Sequence, residues 1–260
     1  MSQQVFVGGL HRSGTTLVAR WLASASGASG FRDTSVWEDE GQHLQDVLLP
    51  ARLLGGPGRF ARHPAAVAGP VDEADVSTLR ARLEATWAPL WEPGARVKVA
   101  KSPPNMLRGR LLQQLFPGAL LVVVRRHPLA VALATRAMAR RFRERPLAEL
   151  VEHWVIAQDL FEAQRPHLGP HVVLDLAGLE EGMERCFREV GLRLVPPPVP
   201  LVDSDEKYRI QWSAVLRSRR FRRRELGAVA ALAPRVRDHG YDLMGFEQAS
   251  MPLSPSFSAR

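Results

Sequence analysis

QVFVGGLHRSGTTL, residues 4–17, decides the fold. Gln4 to Gly9 is a short apolar run, the pattern of a buried strand. From Thr15 onward the apolar residues Leu17, Trp21, Leu22 and Ala25 recur at helical spacing, predicting a helix over 15–25. Strand, glycine-bounded turn, helix is the opening of a βαβ unit. The turn has the spacing of a phosphate-binding loop, GxxxxGK followed by Ser or Thr, but Thr15 stands where the lysine belongs and Arg12 supplies a cation from inside the loop. Such a loop aims successive backbone N–H groups at an anion, and the positive end of the helix dipole adds to the field. Ser13, Gly14, Thr15 and Thr16 are the candidate donors around that anion; Gly9 and Gly14 permit the backbone to approach it closely. A purely structural glycine turn with a solvated arginine is the competing reading.

Outward from this segment the same alternation repeats. Strands are expected at 96–100, 119–124 and 171–174. Helices are expected at 38–49, 74–91, 104–116, 129–142, 147–164, 178–190, 208–216 and 225–237. Residues 24–33 read as a loop, 55–70 as a Gly- and Pro-rich lid within an insertion of about 52–73, and 194–200 as extended. A strand-then-helix order of this kind implies an α/β fold: one doubly wound domain around a central parallel sheet. The domain is expected over 1–247, with 248–260 a flexible tail. In the helix at 178–190, Leu179, Met183, Cys186, Phe187 and Val190 share one face, which makes Cys186 a core residue rather than a nucleophile.

The chain has 260 residues, 45% of them apolar, and a net charge of +8. That charge admits three partner classes: nucleic acid, a membrane surface or a polyanionic small ligand. No apolar run approaches the ~20 residues of a membrane helix. With one cysteine and no leader pattern before residue 8, a cytoplasmic location is expected. No His, Cys or Asp cluster has metal-ligand spacing, so no metal requirement is expected. The basic C-terminal third carries the stretch SRRFRRR (218–224), but the sequence shows no aromatic-basic interleaving of an RNA-binding type, which disfavours a nucleic-acid-binding module.

A second basic turn, Arg125-Arg126-His127, follows the strand at 119–124. Parallel strands end on one edge of the sheet, so both basic turns can face one ligand carrying two anionic groups. Together LHRSGTTL (10–17), KSPPNMLRGRLLQQLFPGALLVVVRRHPLAVALAT (101–135) and VVLDLAGLEEGMERCFREVGL (172–192) resemble the sulfotransferases that use 3′-phosphoadenosine-5′-phosphosulfate (PAPS) and release 3′-phosphoadenosine-5′-phosphate (PAP). The resemblance implies that the first loop binds the 5′-phosphosulfate and that Arg126 binds the 3′-phosphate. The family's serine eight positions later is Ala134 here. Three readings stay open: Thr135 replaces it, Arg125 is the true equivalent of the arginine, or the contact is lost. The family's C-terminal basic signature is absent as such, leaving Lys207, Tyr208, Arg209 or the 218–224 run as replacements.

Sulfuryl transfer needs alignment and stabilisation of negative charge on the leaving group. Arg12 and Lys101, the latter at the end of a strand, are the candidates for that. Where the family uses a glutamate base, it stands at about the place of WEDEGQH (37–43), so Glu40 is the first candidate, followed by Glu38 and His43. An acidic helix N-terminus is the alternative reading of that cluster. His11 and His127 lie in the anion turns as donors or as structural groups. The expected acceptor is a hydroxyl or amine on a small molecule, lipid or sugar. A magnesium-dependent kinase or NTPase, with Asp175 as the acid on the metal, is the second reading, disfavoured by the missing loop lysine.

Overall fold

The structure, a computed structural model, describes residues 2–248; the rest of the expected tail lies outside the described residues. Five parallel strands form one sheet in the order β2-β3-β1-β4-β5, with β1 Gln3–Gly9, β2 Ala28–Gly30, β3 Val97–Lys101, β4 Leu120–Arg125 and β5 His171–Asp175. The strand period of two sorts their side chains into two cores. Val5 and Val7 of β1, with Val122 and Val124 of β4, face α1 (Thr15–Ala23) and α6 (Leu179–Glu189), which contribute Val18, Leu22, Met183 and Phe187. Phe6, Leu121 and Val123 point the other way, towards α3 (Gly109–Leu115), α4 (Pro128–Met138) and α5 (Leu147–Gln164). A sheet covered on both faces needs the continuous apolar runs seen in β1 and β4. Cys186 lies in the first core, and burial pushes its thiol up to about 12.

The expected helix at 38–49 does not form. Glu38 and Asp39 take φ of 54° and 50°, outside helical space, and only two 3-10 turns remain, Trp37–Asp39 and Gly41–His43. Glutamine side chains supply what a helix would have supplied: Gln45 Oε1 accepts from the amides of Val47 and Leu48, and Gln42 Oε1 from that of Ala51. In the segment expected as a lid, Phe60 and Ala66 are fully buried, and Arg59 and Arg62 pair with Glu149 and Glu152 of α5. Strand β2 was expected as loop; at three residues it is too short to show a period. The helix expected at 74–91 is α2 (Glu73–Trp87) plus a 3-10 turn that holds Pro89. That at 104–116 breaks at Arg108, whose φ of −126° separates a 3-10 turn from α3. The one at 129–142 stops at Met138, because Ala139 is extended. C-terminally, α7 (Glu206–Arg217) is followed by α8 (Arg219–Arg224), α9 (Leu226–Ala230) and α10 (Ala233–Asp238). Thus the basic 218–224 run is helical, with Phe221 buried and its arginines exposed, and the single helix expected at 225–237 divides before Pro234.

Candidate active site

Strand β1 lies between β3 and β4, so the loop leaving it sits where the chain connections diverge, the place where open α/β sheets bind ligands. Gly8 lets the 3-10 turn Pro103–Leu107 press against β1; a Cβ there would stand 2.3 Å from the Met106 amide nitrogen. Gly14 caps α1 with φ 98° and has no side chain to satisfy the first-turn amides, which leaves them for an anion. Arg12 takes the left-handed conformation, φ 72°, with its side chain exposed.

A cavity of about 190 Å³ opens above this loop. It is lined by Arg12, Gly14, Thr15 and Thr16 of the loop, by Trp37, Glu38 and Glu40 of the acidic turn, and by Arg126 and Met138. The sequence therefore named most of the residues that meet here. Ser13 is not one of those lining the cavity; its buried hydroxyl donates to the Leu10 carbonyl at 2.7 Å and shapes the loop. Thr135 is likewise turned away: its hydroxyl donates to Val131 one turn back at 2.7 Å, and its methyl lies under Gly58.

Glu40 and Lys101 form a buried ion pair at 3.1 Å. Gln42 Nε2 donates to the other carboxylate oxygen, and His43 Nε2 stands 3.7 Å from it. Gln42 is itself fixed through its amide to Ser102 Oγ at 2.8 Å, which ties the acidic turn to the end of β3. Burial pushes the Lys101 pKa down, and the Glu40 carboxylate works against that shift. Burial also lowers His43. Glu38 accepts from the Thr16 hydroxyl at 3.0 Å and so joins the acidic turn to the phosphate loop. Lys101 reaches a small cleft of about 30 Å³ that shares Thr16 and Glu38 with the main cavity.

Arg125, the last residue of β4, and Arg126, which follows it, diverge. Arg125 turns outward to the His239 carbonyl, the Tyr241 ring and Asp175 at 3.7 Å. Asp175 also accepts from the Tyr241 hydroxyl, so the acid of the kinase reading is engaged away from the cavity. Arg126 turns inward. Its Nη1 donates to the Arg12 carbonyl at 2.7 Å, and its remaining nitrogens meet Ser204 and Asp205 just before α7. Tyr208 lies against its guanidinium at 5.1 Å, while Lys207 is exposed with its ammonium over the same ring at 4.9 Å.

Of the histidines in the two turns, His11 is among the residues lining the cavity and His127 is not. His127 Nδ1 accepts from the Leu129 amide at 3.2 Å and caps α4, its Nε2 lies 3.1 Å from the Asp242 carbonyl, and burial lowers its pKa to about 4. His11 packs edge-on to Phe60 with its Nδ1 closed off from solvent; burial, then the Lys101 charge, lowers it to about 3. His153 accepts from the Ala61 amide at 3.2 Å under the same ring. Trp37, Ser204 and Asp205 were missed. Trp37 adjoins the acidic cluster in sequence, and the Asp203-Ser204-Asp205 run before a helix has an N-cap composition, so both left a signal.

Three sulfotransferase structures are similar at 15–16% identity. They are an enzyme of Mycobacterium tuberculosis (76% of this chain, 69% of that one, TM-score 0.46), one of Alicyclobacillus acidocaldarius (91% and 96%, 0.42) and the sulfotransferase domain of a Synechococcus olefin synthase (97% and 96%, 0.47). A search of curated proteins found no match. Among the described residues no helix is long and apolar enough to cross a membrane. The decisive finding is in the sequence itself: the family model described as "Sulfotransferase family" matches residues 4–178, the span that holds the phosphate loop, the Glu40–Lys101 pair and Arg126. On that match the chain belongs to the sulfotransferase family and is a transferase.

Proposed function

We propose that the protein transfers a sulfuryl group from PAPS to a hydroxyl or amine of a small acceptor, and that the 190 Å³ cavity is the place of transfer. The observation that carries this reading is the convergence on one sheet edge of an uncapped helix N-terminus, the exposed cation Arg12 and the Glu40–Lys101 pair. The loop side fits a phosphosulfate, with first-turn amides, hydroxyls and a guanidinium around one space. On the Arg126 side an arginine is present, already in contact with Asp205.

In this reading the loop amides and Thr15 and Thr16 hold the 5′-phosphosulfate in line with the acceptor. The acceptor oxygen bonds to sulfur as the bond from sulfur to the bridging oxygen breaks. Arg12 and Lys101 stabilise the charge left on that oxygen, and Glu40 receives the acceptor proton. Movement of the Lys101 ammonium towards the leaving oxygen uncovers the Glu40 oxygen it now contacts. Trp37, 70% exposed and lining the cavity, offers a flat apolar face to the acceptor. The expected assay result is PAP release from PAPS across a panel of phenols, sugars and lipid alcohols, lost in Arg12→Ala. PAPS left intact with every acceptor while ATP is consumed in the presence of magnesium would replace this reading with the kinase one.

A further inference from the structure

Arg126 already holds an anion. Its Nε donates to Asp205 Oδ1 at 2.7 Å, and Nη2 lies 2.6 Å from the same oxygen. Nη2 also donates to the Ser204 carbonyl at 2.9 Å and hydroxyl at 3.0 Å, and Nη1 to the Arg12 carbonyl at 2.7 Å. An arginine has five N–H donors in a fixed fork. These contacts leave no pair of them to grip a phosphate bidentately, the geometry that makes arginine a strong phosphate ligand.

We infer that Asp205, with Ser204, is an internal counter-anion at the 3′-phosphate subsite, displaced when the donor binds, and that it sets how strongly the protein distinguishes nucleotides with and without that phosphate. The inference rests on the PAPS reading above. Its physical basis is exchange: a phosphate arriving at Arg126 replaces a carboxylate, so the net gain is the difference between two similar contacts. Asp203, Ser204 and Asp205 are partly exposed, and they join α7 to the 194–202 segment, of which Val195 and Leu201 pack against the first core.

The test compares PAP with adenosine 5′-phosphate, which lacks the 3′-phosphate, by calorimetry on wild type and Asp205→Asn. Asparagine keeps the shape and removes the charge. The ratio of the two dissociation constants measures what the 3′-phosphate contributes. It is expected to rise about tenfold in the variant, through tighter PAP binding with adenosine 5′-phosphate unchanged. An unchanged or smaller ratio, with PAP bound, overturns the inference alone and makes Asp205 a residue that orients Arg126 for the phosphate. PAP bound by neither protein overturns the donor reading and this inference with it. Should Asp205→Asn fold poorly, Ser204→Ala removes one internal acceptor and keeps the charge pair. Its ratio is expected to rise about twofold, and no rise contradicts the proposal.

Discussion

Two basic turns stand on the same edge of the sheet, and they are in opposite states. The loop after β1 is open: Gly14 leaves the helix amides uncapped and the Arg12 side chain is exposed. The turn after β4 is closed: Arg126 is buried against Asp205, Ser204, Tyr208 and the Arg12 carbonyl. Both read alike in sequence, as arginine at the end of an apolar strand. The difference is the counter-charge, which arrives for Arg126 from almost 80 residues away. An open cation is available to stabilise a transition state, whereas a closed one also holds the fold together.

That contrast separates the effects of removing each arginine. Arg126→Ala strands the Asp205 carboxylate and frees the Arg12 carbonyl, so chemical denaturation is expected to show a loss of about 3 kcal/mol. The same variant loses the preference for PAP over adenosine 5′-phosphate. Arg12→Ala is expected to leave stability within about 0.5 kcal/mol of wild type, since the side chain is exposed, and to lower kcat by about 100-fold or more. Equal stability losses in the two variants would erase the distinction. Glu40→Gln keeps the contact shape towards Gln42 and removes the proton acceptor. PAP binding is expected to persist, with kcat lower by about 100-fold; full turnover would move the role to Glu38 or His43.

A further effect lies in acid stability. Each turn carries a histidine held neutral, His11 near 3 and His127 near 4, against 6.5 when unfolded. Between those folded values and 6.5 the unfolded chain binds more protons, so stability rises with pH across that window and is lost as pH falls through it. Each unit of depression corresponds to about 1.4 kcal/mol. His127→Asn keeps a helix-capping side chain without a titrating ring, and the slope of unfolding free energy between pH 4 and about 6 should fall by close to one proton. An unchanged slope would show that His127 is protonated while folded.

Much of this was legible in the sequence because it depends on local order. Alternation of strand and helix gave four of the five strands, and glycine spacing placed Arg12, Gly14, Thr15 and Thr16 around one cavity. What was lost depends on side-chain hydrogen bonds and ion pairs, near and far in the chain, that hydrophobic periodicity does not show. The segment 38–49 has helical composition, but Gln42 and Gln45 capture backbone amides and hold it open, which brings Glu40 to Lys101. The Thr135 hydroxyl donates to the Val131 carbonyl one turn back, a bond that its residue type alone does not announce. No periodicity announces that Asp205 will meet Arg126, because the pairing follows from how α7 packs against α4.

The most direct test of the account is a calorimetric titration of the wild-type protein with PAP in the absence of magnesium, set beside ATP with magnesium. The account predicts that PAP binds and that ATP binds weakly or not at all. Tight ATP binding with magnesium, and none of PAP, would contradict it.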